Sequence, residues 1–143
     1  MLKYINLFCL LGILITACNT GNKNGTTNNN TKPKAEILSA ELFKQKMDRT
    51  NNKMVVDLRS HKELHHAGPI IGARNFDYNG GRLQLLIDNL NKDTAYFLYC
   101  ASGGRSSKAG QELLNAGATK VYELDGGISA WQAAGYPLAK HSH

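Results

Sequence analysis

Tyr96-Phe97-Leu98-Tyr99-Cys100-Ala101-Ser102-Gly103-Gly104-Arg105-Ser106 is the stretch that decides the fold. Its first four residues form a short apolar run of the kind that suits a strand buried on both faces of a parallel sheet. Two glycines then mark a turn. From Ser106 to Ala116 the pattern becomes helical, with Ala109, Leu113 and Ala116 at core-facing spacing and Gly117 as the stop.

The same alternation extends outward in both directions. Met54-Val55-Val56-Asp57-Leu58 and Lys120-Val121-Tyr122-Glu123-Leu124 read as two more strands, and Arg82 to Leu90 as an intervening helix. Ser39 is placed to cap a short amphipathic helix that carries Leu42, Phe43 and Met47 on one face. Alternating strands and helices predict an α/β domain, a small parallel β-sheet flanked by helices on both faces. In such sheets a site belongs at the carboxyl ends of the strands, and Cys100 falls just past one.

The residues around Cys100 suit an anion. Glycines permit backbone angles that turn successive N–H groups inward, so Ala101, Ser102, Gly103 and Gly104 are candidate donors to a small anionic ligand. The positive end of the following helix and the Arg105 guanidinium add to that field and favour a thiolate at Cys100. A free cysteine at a strand end is more often a small buried hydrophobe. The glycine pair and Arg105 favour the reactive reading, because a structural turn has no need of a cation beside a sulfur.

Of the net charge of +6, residues 1 to 35 supply four lysines and no acid, leaving +2 for the remainder. With no basic stripe inside the domain, nucleic-acid binding is not expected. Residues 1 to 17 place Lys3 before an apolar stretch from Ile5 to Ile15, the layout of an export signal and too short for a comfortable membrane span. Ile15-Thr16-Ala17-Cys18 resembles the lipobox of bacterial lipoproteins, which implies cleavage before Cys18 and its lipidation. Anchored in this way, the chain is expected in the cell envelope, bound to a bilayer through acylated Cys18 with its domain outside the cytoplasm. Residues 18 to 35 then form a polar, disordered tether with a reach of roughly 20–25 Å. The domain occupies residues 36 to 140. Cys9 departs with the signal and Cys18 is lipidated, so Cys100 is the single thiol left in the domain.

Several separated motifs join these readings. Val55-Val56-Asp57-Leu58-Arg59, Gly68-Pro69-Ile70-Ile71-Gly72-Ala73-Arg74-Asn75, the loop Cys100 to Arg105, Leu124-Asp125-Gly126-Gly127-Ile128-Ser129-Ala130-Trp131 and Gly135-Tyr136-Pro137-Leu138 together resemble a single-domain member of the rhodanese, or thiosulfate sulfurtransferase, family. The resemblance covers nearly all of residues 36 to 140. It implies that Cys100 takes sulfur from a small anionic donor, holds it as a persulfide, and passes it to a thiol or cyanide acceptor. Neither metal nor organic cofactor is implied, and an envelope thiol-reducing protein is a candidate partner. The chain departs from the family pattern at Pro69, where His is common, and at Ser102, where some members carry a cation.

Two rival functions share parts of this pattern. Cysteine phosphatases and arsenate reductases also surround an anion with a Cys-to-Arg loop, but with five intervening residues where Ala101 to Gly104 supply four. A non-catalytic binding or redox-docking module is the other, although such members of the family typically lack the cysteine. Elsewhere, Asp57 and Arg59 are expected to tie loops together, with Arg59 facing Glu63 one turn on. His61, His65 and His66 read as a solvated face, since no carboxylate or cysteine completes a metal set. Arg74 and Arg82 are uncommitted cations, and Arg82 is a further candidate for recruiting the donor. Trp131 is expected to fill core space, and Asp125-Gly126-Gly127 to shape a turn.

Overall fold

The computed structural model describes residues 33–140. The expectations for the export signal, for Cys18 and for nearly all of the tether lie outside the described residues.

A parallel sheet of strands β1 (Glu36–Leu38), β2 (Lys53–Asp57), β3 (Arg74–Asn75), β4 (Ala95–Tyr99) and β5 (Lys120–Leu124) runs in the order β1-β5-β4-β2-β3. Helices α1 (Ala40–Arg49), α2 (His61–His66), α3 (Leu83–Asp88), α4 (Gly104–Asn115) and α5 (Gly127–Ala133) connect and follow them. The fold is thus the expected α/β arrangement, a small parallel sheet with helices on both faces. Strand β4 is central and buried along its whole length, which is why its sequence is apolar without alternation.

Successive β4 side chains point to opposite faces. Tyr96, Leu98 and Cys100 join Val56 and Val121 under Leu83 and Leu86 of α3 and Ala109 and Leu113 of α4. Phe97 and Tyr99 join Val55 and Leu124 under Phe43 and Met47 of α1 and Ile128 and Trp131 of α5. Trp131 fills core space as expected, with its ring edge-on to Phe43 at 6.3 Å, and Phe43 meets Phe97 in the same way at 5.3 Å.

Some expectations are corrected. Ser39 does cap α1, accepting the Leu42 N–H at 3.4 Å, but Leu42 is exposed. The buried stripe is Ala40, Phe43 and Met47 at helical spacing, which leaves Leu42 about 100° away from Phe43. Ala116 is exposed too, because α4 stops at Asn115 and Gly117, at φ +104°, turns the chain so that Ala118 enters the core instead. Strands β1 and β3 were not foreseen. Both are edge strands of two or three residues whose side chains are mostly exposed, so neither has an apolar run to announce it.

Beside the site end of the sheet lies a buried ion pair. Arg59 donates to both Asp57 oxygens from Nε, at 3.0 and 3.1 Å, and from Nη2 at 2.6 Å. It also donates to the carbonyls of Ala67 and Gly68. Asp57 further accepts the Tyr99 hydroxyl at 2.7 Å, and that hydroxyl accepts the Ile70 N–H at 2.9 Å. These residues tie loops together, as expected, but Arg59 does not face Glu63. It precedes Ser60, the N-cap of α2, so it lies outside the helix where one-turn spacing would bring the two side chains together. Asp57 is fully buried and Arg59 only 2% exposed. Arg59→Met keeps the bulk but strands the carboxylate, and should cost about 3–5 kcal/mol in urea unfolding. A loss under about 1 kcal/mol would show that the pair is not what closes these loops.

Candidate active site

Strand β4 delivers Cys100 to the centre of the sheet end, where the chain must turn before α4 can begin. Gly103 makes that turn at φ +105°, in the left-handed region, and serves as the N-cap of α4. Its N–H donates to Cys100 Sγ at 3.2 Å. Ser106, fully buried, donates its hydroxyl to the Gly103 carbonyl at 2.8 Å and lies with Oγ 3.8 Å from Sγ.

Burial by itself pushes the Cys100 thiol up. Backbone N–H donors from Ser106, Ser102, Gly103 and Arg105 outweigh that cost and hold the thiol below its ordinary range. The helix end and the glycine turn therefore act on the sulfur as their sequence suggests. Ala101 contributes differently, through its carbonyl. That oxygen accepts Ser129 N–H at 3.4 Å and Ser129 Oγ at 3.2 Å, while the Cys100 carbonyl accepts the Ile128 N–H at 2.9 Å. The first turn of α5 thus buttresses the loop from behind. Gly127, at φ +60°, must be glycine for this approach, since a Cβ there would lie 2.6 Å from the Cys100 carbonyl oxygen. Asp125-Gly126-Gly127 does shape a turn, but a turn that supports the loop. Gly104 is the first residue of α4.

The Arg105 side chain acts on Cys100, as expected, but it is shared with a carboxylate that was not. Its two terminal nitrogens donate to the two oxygens of Glu63, at 2.8 and 2.5 Å. The same carboxylate accepts the Ser60 N–H at 2.8 Å and the Ser60 hydroxyl at 2.7 Å. Held by Arg105 first, against a smaller opposing effect of burial and with help from Ser60, the Glu63 carboxyl is lowered to about 2. Arg105 stays cationic because of Glu63 foremost, and the Cys100 thiolate adds to the same effect. Glu63 and Ser106 are thus members of the site that sequence reasoning passed over. The capping-box pattern Ser60-x-x-Glu63 was the available signal for the first, because it starts a helix at His61 and ties Glu63 to its N-terminus.

Arg82 is not brought to this loop. It is exposed and lines a separate hollow with Arg74, Asn75, Phe76 and Leu85. Arg74 lies over the Phe76 ring at 5.6 Å. His61 and His65 are exposed, with their Nε2 atoms 3.1 Å apart. Among the described residues no group of three or more His, Cys, Asp or Glu could hold a metal ion.

Residues 39–134 match the rhodanese-like domain family. The chain belongs to that family. An Allochromatium vinosum sulfurtransferase is 30% identical over 101 residues, 71% of this chain and 92% of its own length. The thiosulfate sulfurtransferase GlpE of Ectopseudomonas mendocina is 33% identical over 59% of this chain and 75% of its own. A Bacillus subtilis relative, YqhL, is 34% identical over 54% of this chain, and the match spans only 59% of that protein. Among solved structures, a Rhodopseudomonas palustris protein described as a possible tyrosine phosphatase superposes with a TM-score of 0.65 at 26% identity, covering 73% of this chain and 85% of its own.

For this rhodanese-like domain the thiol chemistry is directly measurable. Because folding lowers the Cys100 value, alkylation by iodoacetamide should follow pH with an inflection below the free-thiol value of about 8.5, and slow only as pH falls through it. The matching contribution to stability is present above the unfolded value and is lost as pH drops through the folded one. Gly103→Ala, strained at φ +105°, should move the inflection upward. An inflection at or above that of a free thiol in the unaltered protein would refute inward donation by the loop.

Proposed function

We propose that this protein is a sulfurtransferase that carries one sulfane sulfur as a Cys100 persulfide. The observation that carries this reading is the loop itself, whose N–H donors converge on a single sulfur atom. The Cys100 thiolate attacks the outer sulfur of thiosulfate or a related donor. A new S–S bond forms, the donor's S–S bond breaks, and sulfite departs with the bonding pair. The persulfide anion left on Cys100 is stabilised by the loop N–H groups and the α4 terminus. A thiolate or cyanide then attacks the terminal sulfur, leaving as a persulfide or thiocyanate and restoring the Cys100 thiolate. Sulfurtransferase relatives support this assignment, as does membership of the family.

Phosphatase chemistry is the second reading, raised by the description of the Rhodopseudomonas palustris neighbour. Four residues separate Cys100 from Arg105, so the ring of N–H groups is small for a tetrahedral oxyanion, and Arg105 is held by Glu63. Both features favour sulfur. The test is intact mass before and after thiosulfate. A gain of one sulfur, removed by cyanide and absent in Cys100→Ser, is expected. A Cys100 that stays alkylatable yet gains nothing from any sulfane donor would leave a binding role instead.

The lipid anchor belongs to the same proposal. A sulfur carrier tethered through acylated Cys18 would work at the envelope face of a bacterial membrane, with thiol acceptors and an envelope thiol reductant as its partners. The lipobox-like Ile15-Thr16-Ala17-Cys18 supports this. Cys18→Ser should move the protein from the membrane to the soluble fraction on ultracentrifugation of lysed cells. Unchanged partitioning would remove the anchor from the proposal.

A further inference from the structure

Cys100, Arg105 and Glu63 form one line of charge from the floor of the loop to α2. With Cys100 as thiolate, that line carries two negative charges and one positive. The Glu63 carboxylate is no incidental neighbour, since it accepts both Arg105 nitrogens together with the backbone and side chain of Ser60. Its position is set by the start of α2, so its charge is a fixed neighbour of the loop's arginine. Arg105 offsets that charge and is spent in doing so: among the described residues no lysine or second arginine makes a hydrogen bond or ion pair with residues 100–105, and Ser102 brings no cation of its own.

We infer that Glu63 sets donor specificity, turning the site away from the thiosulfate dianion and toward a neutral or singly charged persulfide on a carrier thiol. This rests on the sulfur-transfer reading above and narrows it. Thiosulfate brings two charges to a loop whose arginine is already neutralised, and it must compete with Glu63 for Arg105. A persulfide, R–S–SH, brings none or one. The Cys100 thiolate attacks its terminal sulfur, the new S–S bond forms as the donor's S–S bond breaks, and R–S⁻ leaves with the electron pair. Cys100–S–SH remains, and its proton can pass to the departing thiolate to give R–SH and the persulfide anion. Atoms, electrons and charge balance without a further reactant.

Glu63→Gln isolates the charge. A glutamine at this position still completes a capping box with Ser60 and can accept an Arg105 N–H, so α2 and the loop keep their contacts. The measurement is the second-order rate of Cys100 sulfur loading, followed by intact mass in a single turnover, with thiosulfate and with an alkyl persulfide. Glu63→Gln should raise the thiosulfate rate by about tenfold, the scale on which cleft charge acts on a charged ligand, while changing the persulfide rate much less. Arg105→Gln, which leaves Glu63 uncompensated, should shift the ratio of the two rates the other way. If both donors change in parallel in both variants, Glu63 serves structure alone and the inference fails while sulfur transfer stands. If neither donor loads the unaltered protein, the sulfur-transfer reading falls and takes the inference with it.

Discussion

The site depends on where the loop carbonyls go. A peptide unit is planar, so its C=O and the next N–H point in opposite directions. Ala101 O is tied to Ser129 and Gly103 O to the Ser106 hydroxyl and Ser107 N–H. With the Ala101 oxygen drawn outward, the Ser102 N–H in the same unit must turn toward Cys100. The Ser102 share of the field at the sulfur is therefore set by α5, and the rest by the Gly103 turn and the start of α4. Gly127 is the point at which this dependence is enforced, because only a residue without Cβ lets α5 come close enough to hold the loop.

A second layer of constraint surrounds that loop. Asp57 at the end of β2, Tyr99 at the end of β4 and Arg59 beyond them form one buried polar network that reaches the backbone of Ala67, Gly68 and Ile70. Burial and the Asp57 charge keep the Tyr99 phenol protonated, so it remains the donor that this network requires. Among the described residues no buried side-chain nitrogen or oxygen lacks a partner, which is the condition under which such a network specifies one arrangement of loops. The network holds the two strand ends in register beside each other, and α2 starts from there. Glu63 is thus positioned for Arg105 by the same buried pair that closes the fold.

Sequence was most informative where the chemistry is local. The β4 run, the glycine turn and the start of α4 are contiguous, and their physical consequences for Cys100 could be derived before any tertiary contact was known. Leu42 and Ala116 were misplaced because one extra apolar residue at each helix left two stripes open, and only packing against the sheet, which takes Ala40, Phe43 and Met47 from one helix and Ala118 beyond the other, chooses between them. Glu63 and Ser129 were hidden for a different reason. They reach the loop from 42 and 28 residues away, through a fold that composition and spacing cannot pair. Nothing in the neighbourhood of Arg105 along the chain revealed the carboxylate that shares it with the sulfur.

Under the sulfur-transfer proposal the site has a resting state and a loaded one. In the resting state the inward N–H groups take Sγ itself as acceptor, so the negative charge sits deep in the loop. Adding one sulfur would carry that charge outward by about 2 Å, one S–S bond. The loop N–H groups and Arg105, which already feels the Cys100 charge, would then share it. Were Arg105 free, it would pull the charge further and bind the persulfide tightly, which slows any transfer onward. Paired to Glu63, it offers a weaker field to both donor and product. If the proposal holds, a carrier that must give up what it takes is better served by such a compromise than by the strongest possible anion site.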